Sequence, residues 1–136
     1  MQWLFHNYSF LPWIGAFRAL WNWLDDPCTS FNIRDSVIQT EYEWDSFIRQ
    51  HHPLDEFMED ESDNFTYIAV KFNNFCRYFT HHDLNPMAVE QWFLDEKKNL
   101  KIENHPAIKS LLHTNTAIFI SYLLNVDADA DPKANI

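Results

Sequence analysis

The chain contains a single glycine, Gly15, among its 136 residues, and this scarcity limits the folds that it can adopt. Glycine most readily takes the positive backbone φ angles of tight hairpin turns, on which β-sandwiches and barrels depend. Glycine-rich loops also form the phosphate-binding turns of P-loop and dinucleotide-binding proteins. The sequence therefore predicts an all-α protein and disfavours both kinds of nucleotide site.

Length and composition indicate one folded domain. Hydrophobic residues make up 46% of the sequence, and a chain of this size buries roughly two thirds of its surface on folding, enough for a core without structural metals.

The most apolar N-terminal run, residues 10–24, contains Arg18 and is too short to span a bilayer. Because no basic signal-like segment opens the chain, we predict a cytoplasmic location. The sequence leaves open whether Cys28 and Cys76 pair.

Hydrophobic residues recur with helical spacing in six segments, which predicts a compact single-domain bundle of about six helices over 1–126. A flexible acidic tail is expected over 127–136. The predicted helices cover 12–24, 36–52, 53–58, 65–79, 86–96 and 106–125. Parts of the fourth and sixth, 66–72 and 116–124, also fit strands. In the second helix, Asp35 is the expected N-cap, and Ile38 and Tyr42 share an apolar stripe opposite Glu41, Glu43 and Asp45.

The first predicted helix is rich in tryptophan, which allows two interpretations. Trp13, Trp21 and Trp23 could lie in a membrane interface, as in amphipathic surface helices. Such helices normally carry many lysines and arginines, whereas this segment has only Arg18. We therefore favour burial in the core and expect no membrane partner.

No metal or cofactor site is expected from the titratable residues. The seven histidines lack metal-ligand spacing, since His51-His52 and His81-His82 are adjacent pairs whose side chains diverge on a helix. No G-x-S-x-G elbow is present, and Cys76 lies on the apolar stripe of its predicted helix, where a small core residue is the favoured interpretation.

Arg77 and His82 are separated by four residues at the end of an aromatic helix. This spacing resembles the R-x4-H motif of the HEPN superfamily, whose members are small all-helical ribonucleases. The resemblance implies that Arg77 and His82 act on a scissile phosphate, which suits a guanidinium that stabilises developing charge and an imidazole that transfers protons. Tyr78 differs from the small polar residue that is usual in that family.

Charge favours a different function. The chain carries 20 acidic and 10 basic residues, a net charge of -10, which repels nucleic acid and attracts a basic partner. Nine of the acids lie between positions 41 and 63, where aromatic and apolar residues accompany them and resemble the anchors of a protein interface. The candidate partner-binding residues are Glu41, Tyr42, Glu43, Trp44, Asp45, Asp55, Glu56, Phe57, Glu59, Asp60, Glu61 and Asp63.

The sequence thus predicts a non-catalytic acidic protein that neutralises a basic protein partner, as an immunity protein or antitoxin does for a nuclease toxin. The alternatives are the HEPN-like ribonuclease with Arg77 and His82 as catalytic residues, and a helical adaptor or self-associating scaffold. A solvated acidic face without a partner is the remaining interpretation of the cluster.

Overall fold

The computed structural model describes residues 10–50, 64–98 and 105–129, and within these ranges every regular element is an α-helix. This confirms the predicted all-α fold and excludes the two strand alternatives. The helices are α1 (Leu11–Asp25), α2 (Ile33–Gln50), α3 (Asn64–Phe79), α4 (Pro86–Glu96) and α5 (Pro106–Asp129). The predicted helix over 53–58 lies outside the described residues.

Helix α1 forms the centre of the bundle. It is apolar on nearly all sides, and a helix of that kind is stable only when other helices surround it. It packs most extensively against α2 and also contacts α3 and α5. Trp13, Trp21 and Trp23 are between 2% and 4% exposed, which confirms their predicted burial in the core. None of the helices in the described ranges is both long and apolar enough to cross a membrane.

Phe17 of α1 joins the helices through its aromatic ring. The ring contacts aromatic rings of α3, α4 and α5 at centroid distances of 5.2 to 6.2 Å; these partners are Phe72, Phe75, Trp92, Phe93 and Phe119. Most of these pairs are tilted or edge-to-face, the arrangements that aromatic quadrupoles favour. One side chain of the central helix therefore connects three surrounding helices.

Gly15 lies at a close approach between α1 and α2. A Cβ atom built on Gly15 would be 2.5 Å from the Cα of Val37 and 2.9 Å from its backbone nitrogen. Both distances are far shorter than an ordinary contact between nonbonded heavy atoms. The only glycine of the chain therefore lies within a helix and allows a second helix to pack closely against it. This role differs from the tight turns that glycine forms in β-rich proteins.

Side-chain caps determine where two helices begin. Helix α4 begins at the predicted position, and Asn85 caps it: its Oδ1 accepts a hydrogen bond of 3.0 Å from the backbone N–H of Ala88. The predicted start of α2 at Ser36 was wrong, because Asn32 is the cap. Its Oδ1 accepts from the N–H of Asp35 at 3.0 Å, and its Nδ2 donates to the Asp35 carboxylate. Asp35 therefore lies in the first turn of the helix.

The last helix extends beyond the expected domain boundary. Helix α5 continues to Asp129, so the first three residues of the predicted tail, 127–129, are helical. Residues 130–136 lie outside the described residues. Cys28 is exposed and Cys76 is buried, and both are free thiols, which answers the question of pairing that the sequence left open.

Candidate partner-binding surface

Helix α2 presents its outer face to solvent, and this face contains part of the predicted binding cluster. Glu41, Tyr42 and Asp45 are exposed on it, and Tyr42 is 72% exposed. Ile38, one turn before Tyr42, is 56% exposed on the same face. We call Ile38, Glu41, Tyr42 and Asp45 the α2 surface.

The prediction that Ile38 and Tyr42 lie on the apolar side of α2, opposite the acids, was wrong. The buried side of α2 carries Thr40, Trp44 and Phe47, which recur three and four residues apart as a helix requires. Thr40 is fully buried although its side chain is polar. A pattern of hydrophobic residues does not include threonine, so the sequence analysis did not identify the buried stripe to which Thr40 belongs. The consequence is that apolar and acidic side chains share the solvent-exposed face.

Trp44 belongs to the core, which corrects its assignment as a partner-binding residue. It is 8% exposed, and its ring packs against Phe10 at 5.0 Å and against Phe47 and Phe65 at 5.7 Å each. A ring enclosed in this way is not available to a partner without opening the bundle.

The acids of the described cluster differ in their surroundings. The Glu43 carboxylate accepts a hydrogen bond of 2.9 Å from Nη2 of Arg18, whose side chain is 8% exposed, and a second bond from Gln39. Asp45 pairs with Arg49 at 2.8 Å, and both side chains are largely exposed to solvent. Glu41 makes no ion pair within the described ranges. Glu43 therefore neutralises a buried cation between α1 and α2, whereas Glu41 and Asp45 face solvent.

The remaining predicted binding residues belong to the segment that follows α2. They lie within 51–63, outside the described residues, and comprise Asp55, Glu56, Phe57, Glu59, Asp60, Glu61 and Asp63. Helix α2 ends directly before this segment, so the described surface adjoins it in sequence.

Arg77 and His82 occupy the end of α3 and the turn that follows it. Arg77 is exposed in the last helical turn. His82 caps the helix, since its Nδ1 donates a hydrogen bond of 2.7 Å to the Tyr78 carbonyl and its ring stacks on Tyr78 with centroids 3.9 Å apart. The bond to Nδ1 places the second ring nitrogen, Nε2, as the one that could transfer a proton. The ribonuclease hypothesis stays a prediction, and comparison of RNA cleavage by the wild type and His82→Ala would test it.

A cluster of Lys97, Asp25 and Trp21 joins α4 to α1, and the sequence interpretation missed it. Lys97 Nζ lies 3.8 Å from the centroid of the Trp21 ring and forms an ion pair with Asp25. Burial lowers the pKa of Lys97, while the hydrogen bond and charge of Asp25 oppose that shift. The cluster fastens the end of α4 to the end of α1.

Cys76 is a core residue, as expected. Burial raises the pKa of its thiol to about 12, so at neutral pH the sulfur is protonated and a poor nucleophile. The described residues contain no group of three or more histidine, cysteine or acidic side chains placed to bind a metal ion.

Comparison of the chain with protein-family models, with curated proteins and with solved structures found no match.

Proposed function

We propose that the chain is a non-catalytic binding protein that neutralises a basic protein partner, in the manner of an immunity protein that inhibits a nuclease toxin. The observation that carries this proposal is the exposure of Tyr42 and Ile38 beside Glu41 on the α2 surface. Aromatic anchors surrounded by charged residues are typical of protein interfaces. In such an interface Tyr42 supplies contact area and the acids select a basic partner.

Electrostatics supports the choice of partner. A net charge of -10 accelerates encounter with a cationic protein through long-range attraction. On the α2 surface, Glu41 is free to accept a cation. The ion pair between Asp45 and Arg49 is exposed, and such pairs contribute about 0–1 kcal/mol, so a partner's lysine or arginine replaces Arg49 at small cost.

Glu43 has a different role in the proposal. Because it holds the buried Arg18, we assign it to positioning α2 against α1 and leave it out of the contact set. Phe57 and the acids of 51–63 that were named above remain in the proposed contact set because of their sequence pattern of acidic and aromatic residues. They extend the same acidic character along the chain.

The proposal is tested with a matched pair of truncations. Tyr42 and Met87 are both 72% exposed, but Met87 lies on α4, away from the α2 surface. A basic protein captured from a lysate at low salt would first be identified, and its affinity for each variant would then be measured by calorimetry. We expect Tyr42→Ala to weaken binding about 30-fold, a typical loss for an interface hot spot. Met87→Ala should bind as the wild type does.

A charge-reversal variant tests the second part of the proposal. Glu41→Lys combined with Asp45→Lys should reduce the association rate and flatten its dependence on salt. Wild-type affinity in both this variant and Tyr42→Ala would refute the assignment of the α2 surface. Loss of binding on reversal of Asp55, Glu56, Glu59, Asp60 and Glu61 to lysine, with the α2 variants unaffected, would move the contact to 51–63.

A further inference from the structure

An ammonium group is held against an aromatic ring where α1 meets the end of α4. Nζ of Lys97 lies 3.8 Å from the centroid of the Trp21 ring and forms an ion pair with the Asp25 carboxylate. The Lys97 side chain is 10% exposed and Trp21 is 2% exposed, so the contact is largely shielded from water. The ring attracts the cation through its quadrupole, and the carboxylate attracts it by charge. We call Trp21 and Asp25 the ammonium site, and Lys97 is its internal ligand.

Helix α3 adds a second aromatic wall and a second cation beside this site. The centroid of the Tyr67 ring lies 6.2 Å from that of Trp21, with the ring planes at 70°, so the two rings form a corner. Nζ of Lys71 lies 5.5 Å from the Tyr67 centroid and 3.5 Å from the Glu96 carboxylate. The combination of ring, carboxylate and ammonium therefore occurs twice in neighbouring positions, and each time the group that is bound is an alkylammonium ion.

Lys97 occupies the ammonium site at a cost and can leave it without unwinding a helix. Burial is the largest cause of its lowered pKa, because the site removes water from an ammonium that is strongly hydrated. Lys97 is the C-cap of α4, and its φ of -119° and ψ of 45° lie outside the helical region. Its side chain can turn towards solvent while its backbone N–H stays bonded to the Phe93 carbonyl.

We propose that the ammonium site binds quaternary ammonium groups, which displace Lys97 from the Trp21 ring. A quaternary ammonium has no N–H groups that lose hydrogen bonds to water on burial, so it avoids the main cost of burying Lys97. Asp25 attracts it by charge alone and is 55% exposed, which leaves that side of the site open to an entering ligand. A trimethyllysine side chain and free choline both present this chemical group.

Calorimetric titration of the full chain with tetramethylammonium chloride tests the proposal, with sodium chloride as the ionic control. Lys97→Ala removes the internal ligand and should bind tetramethylammonium about 30-fold more tightly than the wild type, the factor that corresponds to a desolvated cation–π contact. Lys98→Ala is the matched control, because it removes the same charge from the adjacent exposed residue and should bind as the wild type does. Lys97→Met keeps an apolar side chain against the ring and should show no gain.

Two further comparisons test whether charge and the Trp21 ring are both required. In the Lys97→Ala background, Asp25→Asn should remove most of the gain, and the neutral, similarly sized tert-butanol should not bind. Equal affinity of Lys97→Ala and Lys98→Ala, or equal binding of tert-butanol and tetramethylammonium, would overturn the proposal.

NMR of the wild type provides a measurement that does not depend on the folding of any variant. Tetramethylammonium should shift the indole N–H resonance of Trp21 and leave that of Trp44 in place, since Trp44 packs against Phe10, Phe47 and Phe65. The absence of a shift at Trp21, or equal shifts at both residues, would refute binding at this ring.

The source of the quaternary ammonium is distinguished by comparing choline with a peptide that contains trimethyllysine. Tighter binding of the peptide assigns the site to a methylated protein, whereas tighter binding of choline assigns it to a small molecule. This inference does not rest on the proposed function. Lys97→Ala should bind a basic partner of the α2 surface as the wild type does, so failure of either proposal leaves the other standing.

Discussion

Replacing Gly15 with alanine tests the packing of α1 on α2 more sharply than any other single change. The added Cβ would lie 2.5 Å from Cα and 2.7 Å from Cγ2 of Val37, whereas nonbonded carbon atoms prefer about 3.5–4.0 Å. Because the nearest atom belongs to the backbone, a rotamer change cannot relieve the contact. The two helices must separate by about 1 Å, and a gap of that size forfeits a quarter to a half of the dispersion energy between facing atoms.

The expected size of the effect follows from two opposing terms. Overpacking of a tight interface costs typically about 1–3 kcal/mol and occasionally more, and a backbone contact belongs at the upper end. Alanine gains about 1 kcal/mol over glycine in helix propensity. We therefore expect a net loss of about 2 kcal/mol in the free energy of unfolding, which lowers Tm by roughly 8 °C for a chain of this length.

Urea unfolding followed by tryptophan fluorescence measures this loss. Asn22→Ala is the matched control, since Asn22 is exposed on the same helix and its replacement improves helix propensity without a packing contact. Val37→Ala in the Gly15→Ala background should restore only part of the stability, because it removes Cγ2 but leaves the Cα of Val37 in place. If Gly15→Ala is as stable as the wild type, the close approach of α1 and α2 at this residue is refuted.

Three further expectations concern buried polar groups. Thr40→Val should raise the unfolding free energy by about 1 kcal/mol, because the Thr40 hydroxyl is buried without a hydrogen-bond partner among the described residues; a loss on urea unfolding would contradict this. Asp25→Asn should lower Tm, because it leaves the charge of Lys97 without its partner. Lys97→Met should leave Tm within a few degrees or raise it, because the apolar side chain removes that charge. Equal losses of Tm in both variants would be inconsistent with this account. Because burial raises the pKa of Cys76 from 9.0 to about 12, its contribution to stability is complete below pH 9 and disappears as pH rises towards 12. Between pH 9 and 11, the unfolding free energy measured by urea titration should therefore fall less in Cys76→Ala than in the wild type. Equal falls in the two proteins would argue against the raised pKa.

Local signals in the sequence were sufficient for several helix boundaries. The pair Asn85-Pro86 predicts the start of α4 correctly, because a cap and a proline at the first helical position act through neighbouring atoms only. The start of α2 failed because Asn32 and Asp35 are both capping residues three positions apart, and their mutual hydrogen bonds decide which one precedes the helix. The residue types alone cannot decide whether Asn32 or Asp35 is the N-cap of α2.

The candidate surface shows where sequence interpretation ends. The acidic character of 41–45 is visible in the sequence, but the rotation of α2 about its axis is fixed by Thr40 packing inwards and by Gly15 admitting Val37. A hydrophobicity pattern scores threonine as neutral and so assigned Ile38 to the core and allowed Trp44 on the surface. The orientation of these side chains depends on contacts between residues more than twenty positions apart, such as Gly15 with Val37 and Arg18 with Glu43.

The central position of α1 has a consequence for how the protein is made. The ring of Phe17 packs against Phe119, about a hundred residues later in the chain, so α1 leaves the ribosome well before α5, and the core around Phe17 is incomplete until α5 follows. At synthesis rates of about 5–20 residues per second, that interval is about 5–20 seconds. During it, a segment rich in tryptophan and leucine is exposed, and chains truncated before α5 should aggregate or require a chaperone. Efficient folding of this protein therefore depends on how soon after α1 the ribosome releases α5.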